Sequence, residues 1–136
     1  MDIIKKLPKD IRNYILTFTY EPQPFILLND IRHYIRTRQE IKDWYTNHFA
    51  WEYPNAESDW LYNDLLGFCN ENSALMFGYK AFYFEVFSRA FLLKNKSRDE
   101  LLMHRHIFRY SDKTNNVIWG LLTIQERNEF ILNWEI

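Results

Sequence analysis

The sequence predicts a mainly α-helical fold, a single compact aromatic-rich domain of about six helices over residues 1–136. Apolar residues recur three and four positions apart along most of the chain, which is the period of a helix with one buried face. Ser97 with Glu100, and Thr123 with Glu126, form the capping-box pattern that marks the start of a helix. Glycine and proline, which interrupt helices, number only 3 and 4. These observations favour helices joined by few breaks.

The first two helices are expected before residue 50. The first begins at Leu7-Pro8, because proline suits the first helical turn, and it ends before Pro22 and Pro24. The second, the longest, is expected over residues 24–49, with a basic face opposite its apolar one. Its inward residues are expected to be Leu27 or Leu28, Ile31, Tyr34, Ile35, Ile41, Trp44, Tyr45 and His48.

Four further helices are expected in the rest of the chain. Ser58 is the expected N-cap of the third, and the fourth, over residues 73–93, is apolar nearly all round and is expected to be the central helix. Ser97 opens a fifth helix to about Arg109, and Thr123 opens a sixth to about Trp134. Between these two, residues 111–116 predict a polar loop and residues 117–119 a short strand or buried extended segment.

The composition indicates a surface with aromatic contact residues. The chain contains 5 Trp, 9 Tyr and 11 Phe, or 18% of its residues, which is more than one small core can easily bury. Some of these rings are therefore expected at the surface, where they favour a partner-binding face. The 17 basic and 18 acidic residues nearly balance, so a nucleic-acid partner is not expected.

No catalytic or metal-binding pattern is found, so we expect no enzyme activity, no metal and no cofactor. Cys69, the single cysteine, is interpreted as a small buried apolar residue. His104 and His106 lie two positions apart and would face roughly 200° apart on a helix, which prevents joint coordination of a metal ion. His33 and His48 are also too far apart to share one. A small enzyme with an unrecognised site remains an alternative.

The chain is expected to be intracellular and to have no membrane partner. Its first residues lack the apolar core of a secretory signal, and no stretch reaches 18 apolar residues. The basic run that includes Arg89, Lys94, Lys96, Arg98, Arg105 and Arg109 is interpreted as a solvated face. Contact of this run with phosphate or with an acidic partner is the alternative.

The segment Leu7-Pro8-Lys9-Asp10-Ile11, followed by Ile15-Leu16, resembles the opening of the F-box, a short helical motif that docks onto Skp1-type adaptors of ubiquitin ligases. Leu27-Leu28 and Trp44 follow roughly where that motif places later apolar residues. Two segments, Thr19-Tyr20-Glu21-Pro22-Gln23-Pro24 and Leu28-Asn29-Asp30-Ile31, are similar to F-box-like leaders in proteins of large nucleocytoplasmic eukaryotic DNA viruses. The resemblance covers about 40 of the 136 residues and lacks the late Val-Cys-Arg-x-Trp signature.

The resemblance implies a non-catalytic protein–protein interaction module, an F-box-like adaptor whose leader, residues 7–46, packs on residues 57–136. The residues that it assigns to the protein contact are Leu7, Pro8, Ile11, Ile15, Leu16, Leu28 and Trp44. The alternative is a small structural protein of a virion or other assembly, with aromatic contact surfaces. The implied location is the cytoplasm or nucleus of a eukaryotic host, or the virion. Exposed apolar residues confined to 7–45 would favour the adaptor, and several such surfaces would favour the assembly protein.

Overall fold

The structure is a computed structural model that describes residues 6–20, 24–105 and 112–136, with side chains described for all of these except residues 15–20. Within these ranges the chain forms helices and no strand, which confirms the predicted mainly helical fold. The α-helices are α1 (Lys9–Tyr20), α2 (Phe25–Phe49), α3 (Ala56–Cys69), α4 (Ala81–Phe87), α5 (Arg98–Met103), α6 (Asp112–Leu121) and α7 (Ile124–Asn133). Two short 3-10 turns, Leu75–Phe77 and Phe91–Leu93, lie on either side of α4 in the sequence.

Helix α2 is the element around which the body is assembled, since it packs against α3, α6 and α7. Its buried positions recur every four residues, so they form one continuous stripe. They are His33, Thr37, Ile41 and Tyr45. The core that this stripe faces is rich in aromatic residues, among them Tyr83, Phe87, Trp119 and Phe130.

Buried polar groups join α2 to α6. The indole N–H of Trp119 donates to the hydroxyl of Thr37 over 3.0 Å, and that hydroxyl donates to the carbonyl of His33 over 2.7 Å. The His33 ring, through Nε2, meets the amide oxygen of Asn128 of α7 at 2.8 Å. These bonds pair the Thr37 hydroxyl and one ring nitrogen of His33, which lowers the cost of two polar residues in the buried stripe, because a buried polar group is costly unless it is paired. The other ring nitrogen of His33, Nδ1, is buried with no partner among the described residues.

Arg127 closes the corner between α6 and α7. Its side chain is 99% buried, and Nε donates to the carbonyl of Trp119 over 2.9 Å, near the end of α6. Nη1 reaches the carboxylate of Asp30 on α2 at 2.9 Å, and the guanidinium carbon lies 5.5 Å from the centre of the Tyr34 ring. One side chain therefore satisfies a helix-terminal carbonyl and ties the corner to α2.

Both predicted capping boxes are confirmed. Ser97 at the start of α5 accepts the backbone N–H of Glu100, and the carboxylate of Glu100 accepts the N–H of Ser97. Thr123 and Glu126 make the same reciprocal pair at the start of α7. Four donors that a helix start would leave unpaired are thereby satisfied. Helix α5 ends at Met103, short of the predicted Arg109, and residues 106–111 lie outside the described part of the chain.

The predicted continuous helix over residues 73–93 is wrong. It divides into the turn Leu75–Phe77, the short helix α4 and the turn Phe91–Leu93. Gly78 has a φ of 110°, which a residue inside a helix cannot adopt. The buried amide of Asn70 donates to the carbonyls of Ser73 and Gly78 and accepts from the N–H of Lys80, so it holds residues 73–80 as a loop.

The predicted loop and extended segment are also wrong over residues 112–119, because α6 occupies residues 112–121. The Asn115 side chain donates to the carbonyl of Ser58 over 2.9 Å, and Trp119 is buried, so tertiary packing overrides a weak helical propensity. Ser58 is itself a buried residue inside α3 and not its N-cap. Asn55, in the left-handed region with a φ of 67°, takes that position.

Candidate interaction surface

The first half of α2 carries an exposed row of aliphatic side chains. Leu27, Ile31 and Ile35 lie four residues apart on one face and are 43%, 41% and 61% exposed. At 1.5 Å per residue, this row spans about 12 Å of helix. We call these three residues the α2 row. An aliphatic row on one helical face is the arrangement by which a helix docks into an apolar groove.

The sequence prediction that Ile31 and Ile35 face the core is wrong. The buried positions are two residues away, at His33 and Thr37, and two residues turn the helix by roughly 200°. Since Thr37 and His33 are anchored by hydrogen bonds to α6 and α7, they fix the rotation of α2 and direct the isoleucines outward. His48, also predicted inward, is exposed.

The predicted contact residues of the leader lie around α1. Pro8 and Ile11 are exposed, and Leu7 is half-buried. The carbonyl of Pro8 accepts the N–H of Arg12 over 3.0 Å, so the proline immediately precedes α1, which begins one to two residues after the start that the sequence predicts. The side chains of Ile15 and Leu16 lie outside the described part of the molecule.

The two predicted contact residues of α2 lie apart. Leu28 is half-buried beside the α2 row, whereas Trp44 lies 16 positions later, about 24 Å along the helix. Trp44 packs against the core, and its ring stacks on His48 with 4.0 Å between centroids. The geometry therefore gives Trp44 a packing role and leaves Leu28 next to the exposed surface.

An open groove lies beside the start of α2. It has a volume of about 620 Å³ and is formed between α2 and the α6–α7 corner. Its lining is mostly apolar, with polar atoms from the start of α2 and from the corner. The lining residues are Phe25, Ile26, Asn29, Asp30, Gly120, Leu121, Leu122, Thr123, Ile124 and Gln125. Phe25 and Ile26 are themselves exposed, so apolar side chains stand at the edge of the groove, whereas the α2 row lies on another face of the same helix.

Exposed apolar residues also occur outside residues 7–45. The turns on either side of α4 expose Met76 and Phe77, and Phe91 and Leu92. Trp51 is exposed as well, and its indole N–H donates to the carbonyl of His48. Rings beyond the capacity of the core thus lie at the surface, as the composition predicts.

The described side chains that could take part in catalysis or metal binding are either scattered or unreactive. Cys69 is fully buried, and burial, with Glu126 adding to it and Arg89 opposing, raises the pKa of its thiol to about 12, which disfavours the reactive thiolate. Burial, followed by the hydrogen bond to Asp64, also raises the pKa of Tyr45. His48 and His104 each place Nδ1 at 2.7 Å from a carbonyl of their own helix. Across the described ranges, no three His, Cys, Asp or Glu side chains converge as a metal site requires.

Comparison with known protein families, with characterised proteins and with solved structures gave no match to this chain. Among the helices described above, none is both long enough and apolar enough to cross a bilayer.

Proposed function

We propose that the chain is a non-catalytic protein–protein interaction module that docks a partner through α1 and the first half of α2. The observation that carries this proposal is the α2 row. Three aliphatic side chains exposed on one helical face form a surface that loses unfavourable contact with water when a partner covers it.

The proposed partner is a Skp1-type adaptor. This choice rests on the resemblance of residues 7–16 to the opening of an F-box, in which Leu7, Pro8 and Ile11 belong to the contact. Exposed Ile11 on α1 is consistent with such a contact. A partner of this type would place the protein in the cytoplasm or nucleus of a eukaryotic cell.

The test is capture of a purified Skp1-type adaptor by the full chain and by two variants. Ile35→Asp puts a charge in the α2 row and should weaken binding by about 30-fold or more, the effect of losing a residue that dominates an interface. Leu132→Asp, in α7, is the matched control, because Leu132 is also an exposed aliphatic residue of a helix outside the proposed contact. Both variants should melt near the wild-type temperature, since exposed substitutions change stability by about 0.5 kcal/mol or less.

Capture by the wild type and the control, together with loss in Ile35→Asp, supports the proposal. A wild-type chain that does not bind the adaptor at concentrations of about 10⁻⁴ M, well above micromolar affinities, contradicts it. Equal binding by all three proteins would show that the α2 row is not the contact.

A second candidate function is that of a small assembly or virion protein. It is favoured by the exposed pairs Met76–Phe77 and Phe91–Leu92, because these lie outside residues 7–45 and the exposed apolar surface is therefore not confined to the leader, as an adaptor alone would have it. An assembly protein covers several surfaces with neighbouring subunits, so it should self-associate. Light scattering over a wide range of protein concentration distinguishes the two, because an adaptor of the proposed kind should remain monomeric.

A further inference from the structure

The two 3-10 turns beside α4 have the same design. In Leu75–Phe77 the leucine packs partly against the core while Met76 and Phe77 are 84% and 79% exposed. In Phe91–Leu93 the last residue, Leu93, is buried, while Phe91 and Leu92 are 90% and 69% exposed. We call them the first tip and the second tip. In each, a leucine holds the turn in place, so display of the other two side chains follows from the fold of the backbone.

The tips differ in the charges beside them. Lys94 and Lys96 follow the second tip, within roughly 14 Å of chain from Leu92, and both are exposed. Neither lysine forms a salt bridge with any residue for which a side chain is described. Next along the chain, the Arg98 guanidinium lies 4.9 Å from the centre of the Phe84 ring.

Two acidic residues, Asp99 and Glu100, also follow the second tip, and the Glu100 carboxylate is held at the α5 start by the Ser97 N–H. The first tip has one basic and one acidic exposed neighbour, Lys80 and Glu71. The second tip therefore combines projecting apolar side chains with two nearby lysines that have no salt-bridge partner among the described side chains, whereas the first tip has balanced charges.

We propose that the second tip contacts an anionic lipid surface, with Phe91 and Leu92 entering the headgroup region and Lys94 and Lys96 facing the lipid charges. A side chain that is nine-tenths exposed projects from the protein, and a bilayer accepts it without a preformed pocket. Aromatic and aliphatic side chains favour this interface, and basic residues beside them are attracted to anionic headgroups. A contact at the membrane surface needs no spanning segment, so the lack of 18 consecutive apolar residues does not bear on it.

The contact is expected to be reversible, because two apolar side chains bury little area compared with a lipid anchor. Each lysine near an anionic surface should raise partitioning about fivefold at moderate salt. Removing both lysine charges should therefore lower partitioning by about 25-fold.

The experiment is co-sedimentation of the full chain with vesicles of phosphatidylcholine, alone or mixed with phosphatidylserine. The wild type should sediment with the mixed vesicles, far less with the neutral ones, and less at about 1 M salt, where screening shortens the Debye length to about 3 Å. Phe91→Ser/Leu92→Ser should lose partitioning by about tenfold or more, and Lys94→Gln/Lys96→Gln by about 25-fold. Met76→Ser/Phe77→Ser is the matched control and should partition like the wild type.

All three double variants change exposed side chains and leave the anchoring leucines intact, so melting temperatures close to that of the wild type establish that the comparison is between folded proteins. Sedimentation by the wild type and the control, with loss in the two second-tip variants, supports the proposal. A folded wild type that does not sediment with the mixed vesicles overturns it and leaves an acidic protein as the alternative occupant. Equal loss in the first-tip control also overturns it, because the basic neighbours would then confer no preference.

Discussion

Replacing Arg127 with methionine should destabilise the fold far more than removal of an exposed arginine. Methionine keeps much of the buried stem but removes the guanidinium. The substitution leaves the carbonyl of Trp119, which accepts from Arg127 over 2.9 Å, without its donor inside the protein. It also removes the cation from beside the Tyr34 ring, 5.5 Å away, and the partner of Asp30.

The expected loss in the free energy of unfolding depends on how well each group that loses its partner can be hydrated. A buried carbonyl without a donor costs about 1–3 kcal/mol. Loss of the cation–ring contact adds about 0.5–1 kcal/mol. The Asp30 side chain is 40% exposed and can be rehydrated, so the lost ion pair adds little. We therefore expect Arg127→Met to lower the free energy of unfolding by about 2–4 kcal/mol.

The assay is urea unfolding followed by tryptophan fluorescence and far-ultraviolet circular dichroism, with Arg36→Met as the control. Arg36 lies exposed on α2 and makes no hydrogen bond or salt bridge within the described ranges, so its loss should change stability by about 0.5 kcal/mol or less. A loss below about 1 kcal/mol for Arg127→Met, or one equal to that of the control, would refute the role given to the α6–α7 corner.

Phe87→Ala should lower the free energy of unfolding by about 3–5 kcal/mol, the usual cost of truncating a fully buried phenylalanine; a loss below about 1 kcal/mol in the same urea titration would place the residue outside the core. Burial alone would raise the pKa of Glu126, but hydrogen bonds from Arg89 and Thr123 hold it below its usual 4.5. The carboxylate therefore contributes stability that is present above about pH 4.5 and is lost as the pH falls through the lowered folded-state pKa. In Glu126→Gln, the melting temperature should therefore fall less than that of the wild type as the pH is lowered below about 4.5; the same fall in both proteins would contradict this. Cys69 should resist a thiol reagent in the native state and react after denaturation, because the thiol is buried and its pKa is about 12; fast native labelling would show that α3 opens.

The helices that the sequence predicts well are those with local signals. Pro24 fixes the start of α2, and the capping boxes at Ser97 and Thr123 fix the starts of α5 and α7. Each signal acts within one helical turn, so it can be recognised in the sequence without knowledge of the fold.

The secondary-structure predictions are wrong where contacts between residues far apart in the sequence determine the conformation. Asn115 favours a loop by propensity, yet its amide bonds to Ser58, which is 57 residues away in the chain, and α6 forms around that contact. Residues 73–93 carry apolar side chains on nearly every face of a helix, so their periodicity could not reveal the loop that Asn70 and Gly78 impose.

The proposed contact surface was only partly predictable for the same reason. The apolar spacing of Ile31 and Ile35 fits a core face as well as an exposed row, and the choice depends on the bond between Thr37 and Trp119. A sequence signal did exist, because His33 and Thr37 share the four-residue spacing of Ile41 and Tyr45, but polar residues are not ordinarily assigned to a core.

The proposal of a docking module is tested most directly by hydrogen exchange measured by mass spectrometry on the full chain, with and without a Skp1-type adaptor. Peptides that cover α1 and residues 25–35 of α2 should exchange more slowly when the adaptor is bound, because a partner that covers the α2 row excludes water from this surface. Slower exchange confined to the turns Leu75–Phe77 and Phe91–Leu93, or no change anywhere at saturating adaptor, would contradict the account.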